Sequence, residues 1–488
     1  MTIDLSIDRQ SKTAVYQQIA EQIKTQISNG NLPPNTRLPT VRKLATIVGV
    51  TRLTAQNAYA ELQADGWLEA TVGRGTFVSS AVQPMGMTPQ VGQYLTPDHA
   101  VDDMIALSKV LGVRSMAMAQ PDAALFPIDE YWHHLDRLKP SAGELFGYGA
   151  IQGDADLRVE VAKMLGKVEV TAVPGDILIT SGAMQSLNLV AQALGKVGDT
   201  VLVEQPTFLG TLHILETQGL DWIGIPFDGA GPDLAILEQS LKADKPAFYY
   251  TVPNFHNPTG ISMDLARRKG VLDLMARYDC VVVEDDIYGA LAFDGPQPLP
   301  LKALDNNERV IYLSSFSKSF MPGLRTGYVL MPESLQTRLL SLRRANDLCG
   351  PALTHRALAH FIRDGGLKRH LKRVLPVYRE RRDALMAALA SEMPPGVTWT
   401  RPEGGFCTWV TMPRLFGSGE LYRMALESGF AFTPGEAYLI DEPDREFMRL
   451  CFGSQTPAGI RAGVAFLGDL IRRQLENERR QAAWLPVV

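Results

Sequence analysis

No stretch of the 488 residues reaches the roughly 18 consecutive apolar residues of a membrane-spanning helix, so no membrane partner is expected. The opening residues, Met1-Thr2-Ile3-Asp4, have neither the charged nor the apolar segment of a signal peptide. Cysteine is scarce, and the four cysteines are far apart in sequence with no Cys-x-x-Cys pair. This pattern favours reduced thiols in a cytoplasm over disulfides or a metal site.

The net charge of the chain is small, and it is unevenly distributed along the sequence. A net charge of −5 argues against nucleic-acid binding over the whole surface. Residues 1–80, however, contain eight Lys or Arg against six Asp or Glu, so this segment carries +2 and the remainder −7. The hydrophobic content of 45% is typical of a globular protein, and the length predicts two or three domains. The charge asymmetry indicates an N-terminal module with its own partner.

Local patterns in this N-terminal segment predict three helices and a hairpin. Apolar residues at every fourth position, which mark the first helix, are Val15, Ile19, Ile23 and Ile27. Thr40 and Thr51 are expected to cap the second and third helices, with Gly49 in the turn between them. Two short strands, 67–71 and 76–79, are joined by Gly73-Arg74-Gly75. This order predicts a winged helix-turn-helix, in which one helix enters the major groove of double-stranded DNA. The alternative is a small helical cap with solvated arginines.

Four segments of the module closely resemble the DNA-binding domain of GntR-family regulators. They are Leu-Pro-Thr-Val-Arg-Lys-Leu-Ala (38–45), Val-Thr-Arg-Leu-Thr (50–54), Ala-Tyr-Ala-Glu-Leu (58–62) and Gly-Arg-Gly-Thr-Phe-Val (73–78). The resemblance implies that Arg42 reads bases and that Arg52 and the wing glycines contact DNA. The full set of expected DNA contacts is Arg42, Lys43, Thr51, Arg52, Thr54, Asn57, Arg74 and Gly75. The DNA-binding domain is assigned to residues 10–79.

Residues 80–110 contain three prolines and no helical or strand periodicity, which predicts a linker. After it, short apolar runs alternate with amphipathic stretches. The runs expected to be buried strands are 176–180, 200–204, 221–226, 247–252, 281–284 and 310–313, and the clearest helices are 185–194, 265–278 and 335–345. This alternation predicts an α/β domain with a mostly parallel sheet and with ligands at the carboxyl ends of the strands.

One segment after the last of these runs, 314–328, places a single lysine, Lys318, among Ser315, Ser317 and other small hydroxyl residues. A Pro-Gly turn comes next, and Arg325 lies seven residues after the lysine. A lysine that forms a Schiff base needs a turn to aim its amine, with hydroxyl and guanidinium groups nearby to hold a phosphate. The alternative is an exposed lysine in a serine-rich loop.

Other polar residues come after predicted strands in a definite order. The turn Ser181-Gly182-Ala183-Met184 opens a helix, where backbone N–H groups can cradle a phosphate. Asn257 lies in an Asn-Pro-Thr-Gly turn, and a carboxylate of Asp285, or of its rival Asp286, could keep a pyridine ring protonated. Late in the chain, Arg449 carries a guanidinium, a group that can hold a carboxylate by two hydrogen bonds.

The order of these residues resembles fold-type I aminotransferases over about residues 115–475, so the cofactor expected is pyridoxal 5′-phosphate (PLP). The resemblance implies a Schiff base at Lys318, stacking by Phe208, and hydrogen bonds from Asn257 and Tyr288 to the cofactor phenolate. It also implies a substrate-carboxylate role for Arg449 and a Tyr148 that reaches the phosphate of the partner subunit. The complete cofactor set is Gly182, Ala183, Met184, Phe208, Asn257, Asp285, Tyr288, Ser315, Ser317, Arg325 and Tyr148, with Lys318 as the catalytic residue. Where the family usually has a glycine, before Gln120-Pro121-Asp122, this chain has Ala119.

A GntR-type winged helix joined to such a domain, here assigned to residues 111–476, resembles the MocR subfamily of bacterial transcription regulators. The fold expected is an α+β winged helix-turn-helix plus an α/β fold-type I transferase domain with a smaller C-terminal α/β subdomain. The expected function is regulation of transcription in the cytoplasm. A homodimer would bind promoter DNA and sense an amino compound or PLP itself. The alternative is an active PLP-dependent aminotransferase with a fused DNA-binding head.

Overall fold

The computed structural model describes residues 14–28, 36–65, 67–71, 75–79, 114–413, 417–438 and 447–484, together with Leu5, Ile7 and Leu32. The chain divides into two compact units. The smaller unit contains the described residues up to Ser79 and also Arg114 and Leu426–Gly429, and the larger contains the rest. The predicted linker, 80–110, lies outside the described residues, as do Gly66 and Arg74.

Three helices and a hairpin form the smaller unit, as the sequence predicted. The helices are α1 (Val15–Ser28), α2 (Val41–Val48) and α3 (Arg52–Ala64), and the antiparallel strands are β1 (Leu68–Thr71) and β2 (Gly75–Val78). Ile19, Ile23 and Ile27 are fully buried in its core, which explains the four-residue spacing.

Capping residues fix where α2 and α3 begin. The hydroxyl of Thr40 accepts the backbone N–H of Lys43, and that of Thr51 accepts the N–H of Thr54. These bonds satisfy N–H groups that have no partner inside the helix. Gly49 ends α2 with φ of 69°, a left-handed conformation that glycine adopts without strain. The two predicted caps and the glycine turn are therefore confirmed.

A seven-stranded sheet forms the centre of the larger unit. Its strands are β4 (Ile177–Thr180), β5 (Thr200–Gln205), β6 (Asp221–Pro226), β7 (Phe248–Thr251), β8 (Val282–Asp285), β9 (Val310–Ser315) and β10 (Gly327–Leu330) in the order β4-β10-β9-β8-β7-β5-β6. A further short strand, β3 (Arg114–Ser115), precedes them in the chain. Neighbours from β9 to β6 are parallel, whereas β10 is antiparallel to both β4 and β9. All six predicted strands are present, within two residues at each end.

Helices cover the sheet and continue into the C-terminal part of the chain. They are α4 (Ile128–Asp136), α5 (Ala142–Leu145), α6 (Ala155–Gly166), α7 (Ala183–Leu194), α8 (Leu209–Thr217), α9 (Leu234–Asp244), α10 (Leu265–Tyr278), α11 (Leu301–Leu304), α12 (Phe316–Ser319), α13 (Gln336–Asn346), α14 (Ala352–Arg363), α15 (Gly366–Glu392), α16 (Ser418–Glu427) and α17 (Pro457–Trp484). The three helices predicted from amphipathic patterns correspond to α7, α10 and α13. Among the described helices, none is long and apolar enough to span a membrane.

A second, antiparallel sheet forms the C-terminal α/β subdomain. It contains β11 (Thr398–Trp399), β12 (Cys407–Thr411), β14 (Thr433–Pro434) and β15 (Phe447–Cys451) in the order β11-β12-β15-β14, while β13 (Phe430–Ala431) pairs with β3. This arrangement confirms the expected fold class.

Candidate cofactor site and nucleic-acid interface

Parallel strands bring the predicted cofactor residues to one edge of the main sheet. Asp285 is the last residue of β8, Ser315 is the last residue of β9, and Asn257 lies in the segment after β7. Because these neighbouring strands run in the same direction, their carboxyl ends meet at the same edge. Lys318 comes directly afterwards in α12.

The structure distinguishes between the two candidate carboxylates. One oxygen of Asp285, Oδ2, accepts the hydroxyl of Tyr250 at 3.0 Å, while Oδ1 is buried with no hydrogen-bond partner in the described chain. Both oxygens of Asp286 are engaged, because Asn254 Nδ2 and Tyr312 Oη each donate at 2.9 Å. Asp285 therefore has an acceptor available for a ring nitrogen, and Asp286 is part of the supporting network.

Three consecutive carboxyl groups are buried at this strand end. The first, Glu284, accepts the backbone N–H groups of Leu301 and Lys302 at the start of α11. Burial raises the pKa of Glu284 to about 8, that of Asp285 to about 7 and that of Asp286 to about 6. A cationic ligand group beside Asp285 would therefore favour its ionised form.

Lys318 points toward the segment that carries the unusual alanine. Its Nζ donates to the carbonyl oxygen of Ala119 at 2.7 Å and lies 6.0 Å from the ring centroid of Tyr288. Burial lowers the pKa of this amine, although the charge of Asp285 opposes the shift. A lower pKa increases the fraction of neutral amine, which is the form that attacks a carbonyl carbon.

Asn257 and Tyr288 provide polar groups beside the lysine. Asn257 is 4% exposed, and its Oδ1 accepts Nη1 of Arg449 at 2.7 Å. The hydroxyl of Tyr288 is buried and has no hydrogen-bond partner in the described chain. Arg449 also donates to the carbonyl of Ala117 and to Thr433 Oγ1, so these contacts fix the direction of its guanidinium.

A phosphate-sized anion has a cradle at the start of α7. Gly182 is the N-cap with φ of 117°, and a Cβ added there would lie 3.0 Å from Nη2 of Arg325. The positive φ therefore favours glycine at this position, and the absence of a side chain leaves room for the guanidinium of Arg325. The hydroxyls of Ser315 and Ser317 are 2.8 Å apart, and the helix N-terminus adds positive potential. Ala183 and Met184 form the first turn of α7.

Phe208 and Tyr148 have different exposures. Phe208 is half-buried at the start of α8, in the segment after β5. Tyr148 is 90% exposed, although it is a large aromatic residue, which is compatible with its expected role toward a partner subunit.

Sequence reasoning missed two contacts at the site. Tyr250, which donates to Asp285, lies in the buried run of β7, and a tyrosine within such a run is a signal that its hydroxyl needs a partner. The acceptor for Lys318 is a backbone carbonyl, which no side-chain pattern indicates.

The residues present fit PLP. A buried carboxylate oxygen and a buried tyrosine hydroxyl lack partners in the described chain, as suits a protonated ring nitrogen and a phenolate. A glycine cradle with an arginine at its edge suits the phosphate, and a desolvated lysine amine with a lowered pKa suits the aldehyde.

The smaller unit exposes the residues predicted to contact DNA. The side chains of Arg42 and Lys43 on α2 and of Arg52 and Asn57 on α3 are exposed. Thr51 is exposed but its hydroxyl caps α3, and the hydroxyl of half-buried Thr54 lies 2.8 Å from it. Gly75 begins β2 with φ of 116°, whereas Arg74 lies outside the described residues.

Comparisons with known proteins match both units. The family model "Aminotransferase class I and II" matches residues 118–467, and the model "Bacterial regulatory proteins, gntR family" matches residues 15–78. The chain is 30% identical over 475 residues to the uncharacterized HTH-type transcriptional regulator YdfD of Bacillus subtilis, covering 95% of this chain and 98% of that protein.

Two further relatives represent the whole architecture and the larger unit alone. The probable rhizopine catabolism regulatory protein MocR of Rhizobium meliloti is 26% identical over 479 residues, covering 94% of both chains. The crystal structure of Pyrococcus horikoshii kynurenine aminotransferase is similar with a TM-score of 0.74 and 33% identity, covering 80% of this chain and 99% of that one.

Proposed function

Because the chain belongs to the class I and II aminotransferase family and joins that domain to a GntR-family module, as MocR-type regulators do, we propose that it is a PLP-dependent transcription regulator. Its winged helix would bind promoter DNA, and its larger unit would sense an amino compound or PLP. The observation that carries the proposal is the presence, in one chain, of exposed basic residues on α2 and α3 (Arg42, Lys43 and Arg52) and of an edge of buried groups that fits PLP.

Each residue of the site has a distinct task in this proposal. Lys318 would hold the cofactor through its amine, and Asp285 would keep the ring nitrogen protonated. Gly182, Ser315 and Ser317 would bind the phosphate together with Arg325, and Arg449 would orient the carboxylate of an amino acid. PLP, when bound, supplies an electron sink for bonds at the carbon that carries the amine.

A specific observation favours a second function, that of an active aminotransferase. Arg449 is buried and its guanidinium is held by Asn257 and Thr433, which supports a role in orienting a substrate carboxylate, as catalysis requires. A regulator and an enzyme would both bind the amino compound, but only the enzyme would convert it to a keto acid and complete turnover.

The deciding experiment titrates amino acids and amines into the PLP-loaded protein while recording visible absorbance and binding to DNA upstream of its own gene. A regulator is expected to show an absorbance change that stops after about one equivalent per site and that alters DNA affinity. Sustained release of keto acid would favour the enzyme, and a change in DNA affinity on adding PLP alone would identify PLP as the signal.

Salt dependence and a scrambled DNA of equal length are the controls for this experiment. Specific binding should exceed scrambled binding and weaken as salt rises, because phosphate contacts release counterions. Equal affinity for both DNAs would contradict the proposed regulation.

The two neighbouring carboxylates give a matched pair of variants. Asp285→Asn is expected to weaken PLP binding by roughly 10- to 100-fold, because an amide does not supply the charge that stabilises a protonated ring nitrogen. Asp286→Asn should lower the thermal midpoint by several degrees, because it disturbs the acceptors of Asn254 and Tyr312, with a smaller effect on affinity. Fluorescence titration of PLP and thermal unfolding without PLP measure the two effects, and a larger loss of affinity in Asp286→Asn would reverse the assignment.

A further inference from the structure

Two cysteines that are far apart in sequence face each other beside the cofactor site. Cys407 begins β12 and Cys451 ends β15, and the antiparallel register places them directly opposite each other. Their sulfur atoms are 3.7 Å apart, and both residues are buried and reduced. Residues directly opposite in an antiparallel pair have Cα atoms about 4.5–5.5 Å apart, which falls within the range that a disulfide spans.

The pair touches the groups that surround Arg449. The Sγ atom of Cys407 lies 3.7 Å from Asn257 Oδ1, and that of Cys451 lies 3.6 Å from the carbonyl oxygen of Ala117. These same two oxygens accept hydrogen bonds from Arg449. Each sulfur therefore contacts an oxygen that accepts a hydrogen bond from Arg449. A chemical change at either sulfur would affect the orientation of Arg449, and a change at Cys407 would also affect that of Asn257.

The two thiols are not equivalent. Burial raises the pKa of both, but for Cys451 the Cys407 thiol and the charges of Arg449 and Lys318 reverse this effect and lower its pKa to about 7. Cys451 is thus the better nucleophile, and Cys407 is the neighbouring thiol, 3.7 Å away. The other two cysteines, Cys280 and Cys349, form no such pair in the described chain.

We propose that Cys407 and Cys451 are a site of reversible oxidation, at which a peroxide converts the two thiols into a cross-strand disulfide. The thiolate of Cys451 attacks one oxygen of hydrogen peroxide, which stays on the sulfur as a sulfenic acid, while the other oxygen leaves and is protonated to water. The sulfur of Cys407 then attacks the sulfenic sulfur, and the displaced hydroxide takes the Cys407 proton to give a second water. The two cysteines together lose two electrons and two protons, and the peroxide is reduced to two waters.

Disulfide formation removes the S–H groups from this part of the site. Asn257 Oδ1 then loses the contact from Cys407, and the strands β12 and β15 become covalently joined across their ends. This modification does not depend on the proposed regulation, since it requires only the two sulfur atoms. Its effect on bound PLP is a separate measurement.

The test treats the full-length protein with hydrogen peroxide, unfolds it under alkylating conditions and maps its peptides by mass spectrometry. Wild type is expected to lose two of its four thiols and to yield a linked peptide pair containing Cys407 and Cys451, lighter than the separate peptides by two hydrogens. Dithiothreitol should restore both thiols. Alkylation of both cysteines at the same level with and without peroxide would overturn the proposal, as would irreversible oxidation of either one.

Single substitutions assign the steps. Cys407→Ser should stop at a sulfenic acid on Cys451 that a dimedone probe captures, whereas Cys451→Ser should leave Cys407 as a thiol. Cys349→Ser is the matched control and should form the linked peptides as wild type does. Because the mapping in wild type requires no substitution, it decides the proposal even if one of the site variants does not fold. The visible absorbance of PLP-loaded wild type, recorded before and after peroxide, then shows whether the disulfide reaches the cofactor.

Discussion

Replacing Lys318 by alanine is expected to abolish the visible absorbance of protein-bound PLP and to leave the protein folded. The substitution removes the buried amine that lies at the carboxyl edge of the sheet, 6.0 Å from the ring centroid of Tyr288. Since a covalent bond to the cofactor is lost, the apparent affinity for PLP should fall by at least about 100-fold, as expected for a loss of roughly 3 kcal/mol or more. Absorbance spectra after removal of unbound PLP provide the measurement.

The fold should tolerate this change. The amine of Lys318 is desolvated and, in the described chain, makes one hydrogen bond, to the Ala119 carbonyl, and lies 6.0 Å from the ring centroid of Tyr288, so its net contribution to stability is small. Circular dichroism and the thermal midpoint of the variant should remain close to those of wild type. Lys302→Ala, which removes another partly buried lysine of the same unit, is the control and should retain the absorbance. An absorbance that survives in Lys318→Ala would place the covalent link at another lysine.

Substitution of Arg42 by alanine is expected to weaken binding to specific promoter DNA by roughly 5- to 150-fold and to leave PLP binding unchanged. The size of the effect comes from the roughly 1–3 kcal/mol that a bidentate arginine–guanine contact contributes to discrimination. Arg42 is exposed on α2, so its removal costs the fold little. Fluorescence anisotropy with labelled promoter DNA and with scrambled DNA measures the effect.

Two companion variants separate base reading from charge. Arg42→Lys keeps the charge but not the planar fork, so it should lose specificity nearly as much as alanine if Arg42 reads a base. Arg277→Ala removes a comparably exposed arginine from α10 of the larger unit and should bind DNA as wild type does. Unchanged affinity of Arg42→Ala for the promoter would exclude this residue from the interface.

The sequence predicted most of the fold because its signals were local. The caps Thr40 and Thr51 act within three residues of themselves, and the buried strands of the main sheet are short apolar runs between turns. Strand β10, by contrast, was not predicted. Its four residues come soon after the Lys318 segment, and its place between β4 and β9 depends on distant pairing that no local pattern encodes.

The candidate cofactor site, like the fold, was predicted from the sequence only in part. The order of polar residues after the strands predicted which side chains would gather at the sheet edge, but it left Asp285 and Asp286 open. Only the partners of each carboxylate, Tyr250 for one and Asn254 with Tyr312 for the other, distinguish the two. Cys407 and Cys451 face each other because two strands pair although these residues are 44 positions apart, which spacing along the chain could not indicate.

The three buried carboxyl groups at the end of β8 should make the folding stability of the PLP-free protein depend on pH. Glu284, Asp285 and Asp286 have folded-state pKa values near 8, 7 and 6, above the ordinary values of 4.5 and 3.8. A group whose pKa is raised on folding stabilises the folded state fully below its unfolded pKa and loses that contribution as pH rises through the folded value. The free energy of unfolding of the PLP-free protein should therefore fall as pH rises from about 4 to 8. A cationic group held by Asp285 would replace the proton on that carboxyl group and so remove its share of this pH dependence.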